Sequence, residues 1–129
     1  MSKHLLLSIA EIGGYPDFSA QYRSAGYEVQ TETSMRKAMA VIKKKKPAII
    51  VAEFNFQSDF RDRTSSLESM MSVVQRTPNI RVIVFYEKEY QHQFDRLLER
   101  HSFYKTFTFP VPEQTLQSCV VNIAKELSH

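Results

Sequence analysis

The stretch Lys43-Lys-Lys-Lys-Pro-Ala-Ile-Ile-Val-Ala-Glu-Phe54 decides the fold of this chain. Four lysines and a proline, which together end a helix, precede an unbroken apolar run at residues 48–52. The run is too short to cross a membrane and too uniformly apolar for a strand with one solvent-exposed face. It therefore predicts a central strand of a parallel sheet that is covered on both sides. Ligands of such sheets bind beyond the carboxyl ends of the strands, where we expect Glu53 to lie.

Apolar runs and amphipathic stretches alternate on both sides of this strand. The predicted strands cover residues 5–9, 27–31, 48–52, 81–86 and 104–109, and helices are predicted near residues 17–24, 34–46, 67–74, 87–101 and 111–127. Five βα units in strict alternation predict one domain, residues 1–129, with a three-layer, doubly wound α/β fold around a parallel sheet.

Single residues mark several of the predicted helix ends. Asp17 and Ser34 are suitable N-caps for the first and second helices, because their side-chain oxygens accept hydrogen bonds from free backbone N–H groups. Gly26 is predicted to end the first helix, since glycine adopts a left-handed conformation without steric cost. Pro47 ends the second helix after its lysines.

Composition excludes several classes of protein. The chain has 129 residues, of which 43% are apolar, which is enough for a buried core. Its single cysteine, Cys119, excludes an internal disulfide framework and favours a reducing compartment, so a cytoplasmic location is expected. No signal peptide or membrane span is expected, and a net charge of +3 is too mild to argue for nucleic acid by itself.

Several stretches resemble the receiver domains of bacterial response regulators, the CheY-like family of two-component signalling. The stretches are residues 24–29 (the family's start of strand two), 34–42 (its helix two), 46–54 ("kPDlillD"), 81–86 ("pvI.lT") and Phe109-Pro110 (its "KP" after strand five). The resemblance covers essentially the whole chain. It implies a five-stranded parallel sheet of the CheY/flavodoxin-like type, in the order 2-1-3-4-5.

The departures from the family concern its phosphorylation site. The family binds Mg²⁺ through an acidic pair, phosphorylates an aspartate, and contacts the phosphoryl group through a Thr/Ser and a Lys. The matching positions here are Ser8 and Ile9 for the acidic pair, Glu53 for the aspartate, Tyr86 for the Thr/Ser and Phe109 for the lysine. Mg²⁺ needs oxygen ligands, and phosphoryl transfer needs positioning and charge neutralisation. We therefore expect a degenerate pocket without regulated aspartyl phosphorylation.

The family's conformational switch couples its Thr/Ser to an aromatic residue on strand five. Here Thr106 stands on the predicted fifth strand and Tyr86 occupies the Thr/Ser position, so the two residue types are exchanged. Either Tyr86 simply fills the pocket, or the pocket is locked in one state. Glu53 could also mimic a charged phosphoacceptor permanently, which is a hypothesis from its position.

Two features at the carboxyl edge of the sheet are candidate ligand sites, a group of glutamates and a pair of glycines. Glu11, Glu53 and Glu87 could together hold a divalent cation, although strand ends commonly carry solvated acids and we expect no metal. The pair Gly13-Gly14 predicts a tight turn, because it lacks the lysine and hydroxyl of a phosphate-binding loop. No cofactor is expected.

Two surfaces are candidates for macromolecular contact. The basic residues Arg36, Lys37 and residues 43–46 could contact phosphates, but no recognition motif accompanies them and nucleic acid is an unlikely partner. Aromatic residues cluster around strands four and five and the helix between them, and aromatic enrichment is typical of an interface core. In receiver-like proteins the face of helix four, strand five and helix five commonly serves docking or dimerisation, so the resemblance implies a protein partner or a homodimer there. Its candidate residues are Tyr90, Phe94, Tyr104 and Thr106.

The sequence thus predicts a stand-alone pseudo-receiver, a signalling module that acts by protein–protein interaction. We expect no enzymatic activity, because no nucleophile–base pair is visible. The alternative is a sensor of a small molecule or metal that uses the degenerate pocket of Ser8, Ile9, Glu11, Tyr86 and Phe109 around Glu53.

Overall fold

The computed structural model describes residues 4–10, 17–54, 66–77 and 79–127. Within these residues, five strands alternate with five α-helices. The strands are β1 (Leu5–Ile9), β2 (Glu28–Glu32), β3 (Ile49–Phe54), β4 (Arg81–Tyr86) and β5 (Lys105–Thr108). The helices are α1 (Ser19–Ser24), α2 (Met35–Lys45), α3 (Ser66–Val74), α4 (Gln91–Leu98) and α5 (Glu113–Leu127).

The sheet is parallel throughout and has the order β2-β1-β3-β4-β5, which confirms the predicted topology. Every residue of β3 is buried, as its apolar run predicts for a central strand. The more polar β2 lies at one edge of the sheet, also as predicted.

Helices cover both faces of the sheet and enclose two separate apolar layers. The layer under α2, α3 and α4 contains these buried residues of the three helices: Met35, Ala38, Ile42, Leu67, Met70, Met71, Val74, Phe94 and Leu97. The layer under α1 and α5 contains Phe18, Tyr22, Leu116, Val120 and Ile123. We call these layers the α2–α4 face and the α1/α5 face.

The predicted helix ends are confirmed at Gly26 and Ser34, whereas the N-cap of α1 is Phe18 and not Asp17. The Asp17 carboxylate accepts hydrogen bonds from the Ser19 backbone N–H (2.9 Å) and hydroxyl (2.6 Å) at the start of α1. Gly26 follows α1 with φ +97°, a conformation that glycine adopts readily. The Ser34 hydroxyl accepts from the backbone N–H of Lys37 (3.4 Å) at the start of α2.

Other boundaries differ from the prediction. Helix α4 begins at Gln91 rather than residue 87, because a short 3₁₀ turn (Lys88–Tyr90) precedes it. Strand β5 covers Lys105–Thr108 and is one residue shorter at each end than the predicted strand at 104–109. Tyr104 lies before its first residue and has an exposed side chain. Strand β3 continues to Phe54, so Glu53 lies inside the strand and not beyond its carboxyl end, where the sequence predicts it.

Some predicted features lie outside the described residues. These are Glu11, the Gly13-Gly14 turn and the polar loop at residues 55–65. Among the helices that are described, none combines the length and the apolar character that crossing a membrane requires.

Candidate functional site

Glu53 is a buried carboxylate near the carboxyl end of the central strand. Its exposed fraction is 8%, and it pairs in register with Phe85 of β4. Side chains alternate along a strand, and Val51 packs on the α1/α5 face, so Glu53 lies on that face too. Ser8, half-buried and in register with Val51, alternates with Leu6 onto the same face. The phosphoacceptor position and one of the two Mg²⁺ positions therefore share one side of the sheet.

Aromatic rings surround the residue that pairs with Glu53. The ring of Phe85 makes edge-to-face contacts with Phe18 (5.8 Å between ring centroids), Phe107 (6.0 Å) and Phe109 (5.8 Å). Phe109 stands where the resemblance expects a lysine, and it is part of this aromatic group on the α1/α5 face. An apolar ring at that position supplies no positive charge for an anion bound near Glu53.

Tyr86 lies on the opposite face of the sheet. It belongs to the α2–α4 face, is 8% exposed, and stacks on the fully buried Phe94 with 4.3 Å between centroids and 24° between planes. Its hydroxyl donates to Gln91 Oε1 (2.7 Å), and Gln91 Nε2 donates to Asp95 Oδ1 (2.8 Å). Tyr86 thus fills the space under α4 and attaches the end of β4 to that helix.

The residues of the predicted degenerate pocket lie on both faces of the sheet. Ile9 and Tyr86 pack on the α2–α4 face, whereas Ser8, Glu53 and Phe109 are on the α1/α5 face. Alternate residues of a strand point to opposite sides, so these residues reach the carboxyl edge of the sheet from two faces. That they line one pocket at this edge stays a prediction. Glu11, the remaining member, lies outside the described residues.

Thr106 does not stand opposite Tyr86. It pairs with Val84, while Tyr86 pairs with Thr108. Phe107 packs on the α1/α5 face, so alternation places both threonines on the same side as Tyr86. Thr106 therefore lies on the α2–α4 face together with Tyr86. It is two residues before Thr108, the residue of β5 that pairs with Tyr86.

The structure assembles no metal centre from the acidic residues it describes. In the described ranges, no three His, Cys, Asp or Glu side chains form a group that could hold a metal ion. Glu87 is half-buried after β4, and its carbonyl accepts from the backbone N–H of Tyr90 (2.9 Å). The predicted trio also needs Glu11, which is not among those residues.

The predicted interaction face is corrected at one residue. Phe94 is 0% exposed, because it packs between Tyr86, Phe54 and Phe103, and it cannot contact a partner. The sequence predicts Phe94 as an interface residue, whereas the structure gives it an inward, core position. Tyr90 and Thr106 are half-buried.

Tyr104 is the exposed aromatic residue of this face, at 42%. Its hydroxyl donates to Glu126 Oε1 (3.3 Å), and the Arg81 guanidinium lies 5.8 Å from its ring centre. Arg81 also pairs with Glu126 (3.0 Å), so the ring is held in place by both charges. Leu98 of α4, 41% exposed, was missed by the sequence reasoning, since its helical position gave it no distinguishing signal.

Buried hydroxyl and thiol groups on the α1/α5 face have shifted acidities. Tyr27 donates to the carbonyl oxygen of Val120 (2.7 Å), and burial raises the pKa of its phenol to about 12. Burial also raises the pKa of Tyr22, and of the half-buried Cys119 thiol. A raised thiol pKa opposes nucleophilic reactivity.

Solved structures with similar folds are receiver domains. A response regulator receiver domain protein from Clostridium thermocellum is 14% identical, with a TM-score of 0.74 over 98% of this chain and 99% of that one. The REC domain of AraT, a response regulator from Geobacillus stearothermophilus, is 13% identical, with a TM-score of 0.73 over 98% and 97%. Vibrio cholerae chemotaxis protein CheY4 is 15% identical, with a TM-score of 0.63 over 95% and 99%.

At these identities the likeness establishes the receiver fold. The search among curated proteins found no match. A family model, the VpsR domain, matches residues 1–121 and so spans nearly the whole chain. The chain therefore belongs to the VpsR domain family.

Proposed function

We propose that this chain is a pseudo-receiver, which signals through protein–protein contacts without regulated phosphorylation at residue 53. The observation that carries the proposal is the packing of Phe109 on Phe85, at the position where the receiver resemblance expects a lysine. Phosphoryl transfer depends on neutralising negative charge spread over the phosphoryl oxygens. A phenyl ring engaged in an apolar cluster supports the loss of that function.

The surroundings of Glu53 add to this argument. Phosphoryl transfer requires positioning to a fraction of an ångström, and Glu53 carries its carboxylate one methylene farther from the backbone than an aspartate does. Its side chain is 8% exposed, and the residue paired with it is an aromatic one. An attacking carboxylate in such a position meets a phosphate donor less readily than an exposed aspartate.

The environment of Tyr86 supports a module held in one conformation. A receiver switch needs a side chain after β4 that can move toward the phosphoryl group. Tyr86 instead combines a stacked ring, a hydrogen bond to Gln91 and 8% exposure on the other face of the sheet. Moving it would break both interactions and open a void beside Phe94, at a cost of several kcal/mol.

Treatment with acetyl phosphate and Mg²⁺, followed by intact-mass measurement, tests the proposal. We expect no phosphoryl adduct on the native chain, and none on Glu53→Asp, because the lysine that would neutralise the phosphoryl group is replaced by Phe109 in both. Glu53→Gln, which has the same size and no carboxylate, is the matched control. An adduct on the native chain that Glu53→Gln removes would contradict the proposal.

An amide ¹H–¹⁵N spectrum recorded with Mg²⁺ and then beryllofluoride, which mimics a phosphoryl group, gives a second test. We expect no saturable shift at Glu53 or along β4 with either addition. Saturable shifts with Mg²⁺ alone, absent in Glu53→Gln, would instead favour a metal-responsive sensor. Shifts with beryllofluoride that extend to Tyr86 and α4 would indicate a working switch.

The partner contact is proposed to include the two exposed apolar side chains near β5. Leu98 and Tyr104 are the large hydrophobic residues that the described part of the chain exposes. Replacing both, Leu98→Ser with Tyr104→Ala, should weaken self-association measured by light scattering if the partner is a second copy. Ser69→Ala, at an exposed position of α3, is the control. Unchanged association in a chain that does associate would place the contact elsewhere.

A further inference from the structure

The outer face of α2 carries four basic side chains with one alanine between the two pairs. Its members are exposed and fall at spacings of i, i+1, i+4, i+7 and i+8, which puts them on one side of the helix. They are Arg36, Lys37, Ala40, Lys43 and Lys44, and we call them the α2 stripe. The stripe is about 12 Å long at 1.5 Å per residue. The opposite side of α2 is buried against the sheet.

The helix dipole explains half of this stripe. Lys43 and Lys44 are in the last turn of α2, where the dipole favours cations. Arg36 and Lys37 are in the first turn, where the dipole disfavours them, and that turn contains no acidic residue. Two cations at the N-terminal end of the helix weaken it, so the stability of α2 does not account for Arg36 and Lys37. Binding of an anionic partner to this surface would account for them.

The stripe has no internal counter-charge in the part of the chain that the structure describes. Ion pairs there join Arg81 to Glu126 (3.0 Å) and Arg100 to Glu68 (2.6 Å), and no stripe side chain takes part in one. Among the described residues, these exposed cations therefore have no ion-pair partner.

The centre of the stripe indicates which anionic partner fits. Ala40 is exposed between the two pairs of cations, so a small apolar spot has positive charge one helical turn away on each side. A phosphate backbone presents charge at regular intervals and has no apolar group to place on Ala40. A protein helix with carboxylates three or four residues on each side of a small apolar residue presents the complementary pattern.

We propose that the α2 stripe docks an acidic helical segment of a partner protein, with Ala40 at the point of closest approach. The small side chain lets the two helix backbones come near each other, while the four cations meet carboxylates at either end. Three of the four cations are lysines, which act as compact point charges without a fixed hydrogen-bonding fork, so the contact selects for charge pattern more than for sequence. This surface is separate from the Glu53 region, and the proposal does not depend on the phosphorylation state there.

A binding experiment with defined probes tests this assignment. The first probe is a fluorescein-labelled helical peptide of glutamate and alanine, with carboxylates on one side of the helix around a central alanine. The second has the same composition with the carboxylates distributed around the helix, and the third is a labelled DNA duplex. Fluorescence anisotropy at low and physiological salt gives the dissociation constants for the full chain.

Matched variants separate the stripe from net charge. Changing the four cations to glutamine (Arg36, Lys37, Lys43 and Lys44) should weaken binding of the one-sided peptide by about tenfold or more, because several ion pairs are lost together. The control changes four exposed basic residues outside the stripe to glutamine, namely Arg23, Lys88, Lys105 and Lys125. This control has the same net charge and should change binding less than about twofold.

Ala40→Gln tests the close approach without changing charge. It should weaken the one-sided peptide by about threefold and leave the duplex unaffected, because a longer side chain separates the helices. Glu53→Gln should keep native affinity, which distinguishes a failure of this proposal from a failure of the pseudo-receiver assignment.

Several results would overturn the proposal. These are no binding of the one-sided peptide by the native chain, equal binding of both peptides, or equal losses in the stripe and control variants. Tighter binding of the duplex than of the peptide, lost in the stripe variant, would assign the stripe to nucleic acid instead. An unaffected Ala40→Gln variant would reject the helical docking geometry.

Discussion

The two faces of the sheet differ in the surroundings of the polar side chains near the ends of β3 and β4. On the α2–α4 face, the hydroxyl of Tyr86 has a hydrogen-bond acceptor in Gln91, and its ring is stacked on Phe94. On the α1/α5 face, the carboxylate-bearing Glu53 is buried beside Phe85, whose ring contacts three others edge-on. Aromatic rings thus pack beside the polar side chain on both faces, and on the first face a hydrogen bond from Tyr86 attaches α4.

The largest effect should come from removing the ring at the centre of the α2–α4 face. Phe94→Ala should lower the free energy of unfolding by about 3–5 kcal/mol, because it leaves a cavity among Tyr86, Phe54 and Phe103. Phe109→Ala should have a smaller effect, since Phe109 is half-buried. Urea denaturation measures both. Equal losses would show that the two faces are packed alike.

The dependence of the unfolding free energy on alkaline pH tests the α1/α5 face, where Tyr27 is buried. The folded pKa of Tyr27, about 12, lies above its ordinary value of 10.0, so folding favours the protonated phenol. This stabilisation is complete below about pH 10 and is lost as the pH rises through about 12, a change on the order of 2–3 kcal/mol. Tyr27→Phe should flatten the fall in unfolding free energy over this window. An identical slope in the variant would contradict the assignment.

A smaller effect is expected from the hydroxyl that attaches β4 to α4. Tyr86→Phe should cost about 0.5–1.5 kcal/mol and speed hydrogen exchange in α4, because it removes the bond to Gln91 while keeping the stacked ring. Tyr104→Phe removes an exposed hydroxyl with a longer bond (3.3 Å) and should cost less. Unchanged exchange in α4 after Tyr86→Phe would show that stacking alone fixes that helix.

The smallest effect is expected at the start of α1, which packs on the α1/α5 face. Hydrogen bonds from Ser19 hold the pKa of the Asp17 carboxyl below its ordinary value of 3.8. A lowered folded pKa gives stability above about pH 3.8 that disappears as the pH falls through the folded value. Asp17→Asn keeps a side-chain oxygen that can accept from Ser19, and it should reduce this acid dependence by less than about 0.5 kcal/mol. Acid denaturation followed by circular dichroism measures it.

The fold followed from the sequence because its signals are local and repeated. The apolar runs of β3 and β4 have no polar face, and the helical stripes recur with a period near 3.6, which together specify a covered parallel sheet. The faces on which the pocket residues lie did not follow, for the same reason. A uniformly apolar strand does not reveal which residues point to which face, so the separation of Glu53 from Tyr86 required the register.

The assignment of Phe94 illustrates a second limit. Aromatic residues are enriched both in cores and in interfaces, so composition alone could not distinguish the two roles on α4. The stack from Tyr86 through Phe94 to Phe103 depends on residues that come together only after β4 and β5 pair. Such a contact has no counterpart in the spacing of one helix.

The contacts between the α1 region and the last helix connect residues far apart along the chain. Tyr27 donates to the carbonyl of Val120, 93 residues later, and Gln117 donates to Ser24 at the same separation. A ribosome adds roughly 5–20 residues per second, so Tyr27 has to wait about 5–20 s for its acceptor to be made. During translation, the apolar surface that α5 will cover is therefore open to chaperones, and the α1/α5 face is the last part of the domain to close.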